Sequence, residues 1–139
     1  MEGWKPNVGY DVLKFGDQFE RVTAQVGDLE FIEELSDEHE EVFIQETTDI
    51  LIGFNTDGFS HANFGSEFIY HGANLIGEEI SDVLKKFPEL SGGGYEPEIV
   101  LESGQIDRAY TKDELGLFLT MDEHNIVRWV MIFHDEPTA

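Results

Sequence analysis

Phe15-Gly-Asp-Gln-Phe-Glu-Arg-Val-Thr-Ala-Gln-Val26 and Ile76-Gly-Glu-Glu-Ile-Ser-Asp-Val-Leu-Lys-Lys-Phe87 lie 61 positions apart and share one pattern. Gly16 aligns with Gly77, Phe19 with Ile80, Val22 with Val83 and Val26 with Phe87. In each stretch the apolar residues recur three and four positions apart, which is the stripe of a short helix half-buried against something else. A second pair, Thr48–Asp57 and Asp113–Asp122, repeats at an offset of 65. Both members read as strands running into an acidic turn. The spacing therefore predicts an α+β protein built from two similar units, residues 1–65 and 66–139. Each unit is a short helix packed on an antiparallel meander of three or four strands.

Local signals place the elements. Asp17 is a capping residue for a first helix that Gly27 stops, giving about residues 17–26. Pro88 closes a second helix over about 78–87, because its ring denies the preceding residue a helical conformation. Strands are expected over about 42–46, 49–55, 59–64, 105–111, 114–121 and 125–133, with Thr47-Thr48 and Asp57-Gly58 at turns. Val8–Lys14 reads as a short strand or extended lead-in, and Pro97 keeps Glu98–Leu101 at a sheet edge or outside the sheet. The polar tail from His134 reads as frayed.

Side chains alternate along a strand. Val130 and Ile132 thus share one face with Ile126, while Val127, Trp129, Met131 and Phe133 share the other. Leu115, Leu117 and Leu119 likewise oppose Phe118. Both faces are apolar, so the sheet is either covered twice or leaves an apolar face for a partner.

The 139 residues suffice for one compact body without staples, and the absence of cysteine excludes disulfides, thiolate metal sites and a cysteine nucleophile. Met1-Glu-Gly-Trp-Lys-Pro6 carries no basic segment followed by an apolar run, so the expectation is a soluble, cytoplasmic protein. Thirty acids against eight bases give a formal charge of −22. No Lys or Arg lies between Arg21 and Lys85, a stretch of 63 residues with 15 acids. Such a field repels nucleic acid and anionic membranes and draws in basic proteins. It also serves solubility or a saline cell interior, and with that reading goes a homodimer formed through the Trp129 face or an exposed strand edge.

Chemistry-bearing patterns are sparse. His39, His61, His71, His124 and His134 are scattered, with no pair at the spacing of a helical metal site. Asn55-Thr-Asp57-Gly58 lacks the first acid of a calcium loop and reads as a hairpin turn. Ser60-His61 lacks glycine flanks, and Ser91 before three glycines lacks the lysine of a phosphate loop. No catalytic residue, metal or cofactor is expected, and a non-catalytic protein follows.

The feature with an interaction role is acidic. Glu33, Glu34, Asp37, Glu38, Glu40 and Glu41 put six carboxylates into nine positions, enough to imitate phosphate spacing toward a basic cleft. Charge raises association rate more reliably than affinity, so aromatic anchors are also needed. Trp4, Phe59 and Tyr95, expected in loops, are the candidates.

The glycine, striped helix and meander, with Asp113-Glu-Leu-Gly-Leu-Phe-Leu and Asp122-Glu-His-Asn125 before the last strand, resemble the tandem-repeat fold of the β-lactamase inhibitory protein. Asn74-Leu-Ile-Gly77 through Phe87 also looks like small immunity proteins carried beside secreted bacterial toxins. The chain lacks the inhibitor's secretion signal and cysteines, and an immunity role needs neither. The resemblance implies a bacterial protein that blocks a cognate toxin, most simply a basic nuclease, by covering its surface.

Overall fold

The computed structural model describes residues 3–45, 47–100 and 106–134, with the side chains of 96–100, 106 and 107 outside that description. In chain order the elements are β1 (Trp4–Lys5), β2 (Gly9–Tyr10), β3 (Leu13–Lys14), α1 (Phe19–Val26), β4 (Glu30–Phe31), β5 (Glu41–Gln45), β6 (Ile50–Asn55) and β7 (Gly58–Phe64). Then follow β8 (Ile69–Tyr70), β9 (Ala73–Asn74), α2 (Ile80–Lys86), β10 (Gly94–Val100), β11 (Ile106–Lys112), β12 (Leu117–Met121) and β13 (Val127–Phe133). Eight strands form one antiparallel sheet in the order β10-β11-β12-β13-β7-β6-β5-β4. The meanders that follow α1 and α2 thus meet through their last strands, Val130 opposite Phe64 and Phe133 opposite His61. The α+β class and the antiparallel sheet agree with the sequence reading.

Each helix is anchored by its lead-in. Gly16 donates to the Phe59 carbonyl and Phe59 donates to that of Asp17, tying α1 to β7. Gly77 donates to the Val127 carbonyl and Val127 to that of Glu78, tying α2 to β13. Helix α1 starts at Phe19, later than predicted, and no side chain caps it. The Asp17 carboxylate instead lies 3.4 Å from the Arg21 guanidinium. Gly27 ends α1 as expected, at φ 88° with its N–H on the Thr23 carbonyl. Residues 8–14, read as a short strand or extended lead-in, form the β2–β3 hairpin, and His71 (φ 48°) with Gly72 (φ 80°) makes the tight turn of β8–β9.

Both helices and both small hairpins pack on one face of the sheet. Val22 of α1, Ile80, Val83 and Phe87 of α2, and Trp4, Tyr10, Leu13 and Tyr70 of the hairpins share a cluster with Ile52, Phe64, Leu117, Leu119, Val130 and Ile132. That core runs through both halves of the chain. Two strand boundaries differ from the sequence reading. Residues 113–115 form a 3₁₀ turn, and β12 begins only after Gly116, whose φ of 68° no strand tolerates. Between Thr120 and Met121 the β12–β13 register shifts, so Val127 turns into the core while Trp129 stays on the opposite face. Strand β10 occupies the sheet edge predicted for it, while Leu101 and residues 135–139 lie outside the described residues.

Candidate partner-binding surface

The acidic run forms the edge of the sheet beside β4 and β5. After β4 the chain makes a 3₁₀ turn over Glu33–Leu35. Ser36 then donates its hydroxyl to the Ile32 carbonyl (2.7 Å) and accepts the Val42 N–H (2.9 Å), closing the segment into a compact loop. Asp37 accepts the N–H groups of His39 (2.7 Å) and Glu40 (2.8 Å) on one carboxylate oxygen, and those bonds hold its carboxyl below the ordinary value. Glu33, Glu34, Glu38 and Glu41 are exposed. The run wraps the edge and does not form one plane: Glu41 pairs with Phe54 on the helix side, whereas Glu40 reaches the opposite side, 3.8 Å from His61 Nδ1.

Around His61 the geometry is specific. Gly53 leaves room for its ring, since a Cβ there would come within 2.0 Å of it. Burial pushes the imidazole below its ordinary value, against the pull of the Glu40 carboxylate. Ser60 Oγ lies 3.1 Å from the same Nδ1 that faces Glu40. A catalytic triad needs its acid and its nucleophile on different ring nitrogens, so this Ser–His contact is not one.

The predicted anchors are not gathered around the acidic run. Trp4 is buried at 2% exposure against Phe68 and Tyr70, and Phe59 at 2% stacks on Phe15, so neither presents a surface. Tertiary contacts fill both of these positions. Tyr95 is 62% exposed, but it lies on β10, opposite Tyr110 of β11, at the far edge of the sheet. Seven strand spacings separate β10 from β4, about 34 Å.

A different surface carries half-buried apolar residues and the exposed Trp129. On the face away from the helices, Ile44, Leu51, Asn63, Met131, Phe118 and Thr111 follow one another across β5, β6, β7, β13, β12 and β11. Among the described residues no helix or hairpin packs on this face. Leu51, Asn63, Phe118, Thr120, Trp129 and Met131 line a shallow depression of about 340 Å³. Trp129 is 45% exposed, and its ring lies over Gly65, where a Cβ would meet it at 2.3 Å. Asn63 Oδ1 and Thr111 Oγ1 are buried without a hydrogen-bond partner. The sequence signal for this surface was the apolar alternation of β12 and β13.

On the helix side a cleft of about 400 Å³ is lined by Tyr10, Leu13, Val26 and Ile50, with Asp11, Asp49 and Glu67 also at its wall. Among the described residues Asp122 is the buried charged group, and it lines neither cavity. Arg128 donates to one Asp122 oxygen through both Nε and Nη2 at 2.8 Å, and the His124 and Ile126 N–H groups donate to the other. Burial raises its carboxyl, but those donors more than offset that and hold it below the ordinary value. No three His, Asp or Glu among the described residues converge as a metal-ligand set. No described helix is long and apolar enough to cross a membrane.

No protein-family model, curated protein or solved structure gives a significant match to this chain.

Proposed function

We propose that this chain is a non-catalytic bacterial immunity protein, cytoplasmic, that captures a basic protein toxin such as a nuclease and neutralises it by direct binding. The observation that carries this reading is the Glu33–Glu41 run. It is an acidic loop fixed by side-chain-to-backbone bonds, inside a 63-residue stretch without a single Lys or Arg. A preformed acidic edge steers a cationic partner at little ordering cost. The buried Asp122 is already neutralised by Arg128 and lines neither of the two cavities described above, which supports binding over hydrolysis.

The chain also reads as one helix-plus-meander unit used twice, as the resemblance to tandem-repeat inhibitor folds implies. The matching lead-in bonds, Gly16 with Phe59 and Gly77 with Val127, support it, as does the meeting of the two meanders at β7 and β13. Reversing Glu38, Glu40 and Glu41 to lysine is expected to slow association with the captured toxin about tenfold at low salt while barely changing dissociation. An unchanged association rate would remove the steering role.

The uncovered Trp129 face favours a second reading, a homodimeric structural or adaptor domain whose acidity serves solubility. Sedimentation at micromolar concentration distinguishes it, because it requires twice the mass of one chain.

A further inference from the structure

We infer that the open sheet face is the anchoring surface for the basic partner, which seats an apolar ridge on Leu51, Phe118, Trp129 and Met131. This inference rests on the binding function proposed above and locates its energy. Three observations support it.

The sheet is covered unevenly. Among the described residues the helices and hairpins that pack on it use the other face, although the residues of this one are as apolar as many core positions. Aromatic and sulfur-containing side chains on a flat, half-exposed surface are the composition of an interface centre.

Charge distribution is the second and decides the occupant. No Lys or Arg is among the described residues that line the depression. Asp122, two positions beyond Thr120, is neutralised by Arg128, while two further carboxylates lie toward the same side, Glu40 beside His61 and, by register, Glu30 opposite Ile44. A second copy would bring another −22 to the same face, whereas a cationic protein is drawn to it.

Continuity is the third. His61 and Asn63 are two residues apart on β7 and point the same way, about 7 Å from one to the other. The acidic edge and the apolar depression therefore form one surface, in which the edge guides the encounter and the depression holds the complex.

The test uses the full chain as bait against a phage-displayed library of open reading frames from the source genome, with association measured on the purified product of the most enriched clone. The expected product is basic. Its dissociation constant should rise at least tenfold with Met131→Lys at about 500 mM salt, where edge charges are screened. Trp129→Gln changes a side chain that is 45% exposed. It should barely move the melting temperature of the free chain yet weaken binding about fivefold, a combination that loss of folding cannot produce. If the product is basic and its binding is lost with the edge triple reversal but unaffected by Met131→Lys and Trp129→Gln, the binding function stands and the docking surface is wrong. If nothing basic is enriched, the binding function itself fails. A dimer of this chain at 10 µM that Met131→Lys dissociates would assign the face to a second copy and overturn the inference.

Discussion

At the scale of single residues, His61 and Asp122 each make stability depend on pH. His61 sits over Gly53 and is held below the ordinary imidazole value of 6.5 by burial. The unfolded chain takes up a proton on this ring as pH falls through about 6.5, and the folded chain does so only at lower pH. Stability is therefore full above that window and declines within it. Denaturant midpoints at pH 7.5 and 5.5 should show the decline, and His61→Gln should flatten it. Asp122 works in the opposite range. Its carboxyl is lowered in the folded chain, so its contribution is present above the unfolded value of 3.8 and is lost as pH falls through the folded one. Because four N–H groups from three residues converge on this shielded carboxylate, Asp122→Ala is expected to cost about 2–4 kcal/mol in chemical denaturation at pH 7. A loss under about 0.5 kcal/mol would show that water replaces those bonds.

At the scale of elements, the helices were legible because three-and-four spacing survives any tertiary context, and Gly27 and Pro88 mark their ends chemically. The strand reading of residues 114–121 failed at its start. Leu115, Leu117 and Leu119 alternate as a strand would, but Gly116 adopts a left-handed conformation and its N–H closes a turn on Asp113. A Cβ at Gly116 would lie 1.8 Å from the Phe133 carbonyl oxygen, so Gly116→Ala should destabilise by at least about 2 kcal/mol, more than the left-handed penalty alone. Val127 was assigned to the Trp129 face because alternation assumes an unbroken register, and the bulge between Thr120 and Met121 breaks it. The acidic run was readable as surface, since six carboxylates in nine positions have nowhere else to go. The anchors were not readable. Trp4 and Phe59 sit beside turn residues in sequence, and only contacts with Phe68, Tyr70 and Phe15 bury them. Which apolar face of the sheet stays open depends on where the helices pack, a choice that no single strand encodes.

At the scale of the whole molecule, the eight-stranded sheet joins both halves through β7 and β13, and one apolar cluster takes residues from each. Neither half can lose its packing without exposing core residues of the other. Thermal unfolding should therefore be a single transition with equal calorimetric and van't Hoff enthalpies. Two resolved transitions would mean that the halves fold separately. The same arrangement sets an acidic edge beside an open apolar face, and their combination is what distinguishes specific capture from nonspecific attraction. A pull-down with the full chain at about 50 mM and about 500 mM salt separates these, because screening at the higher level confines exposed charges to about 4 Å while a packed apolar contact survives. A single basic protein retained at both salt levels is the predicted result. A mixture of basic proteins at low salt that vanishes at high salt, with nothing specific left, would contradict it.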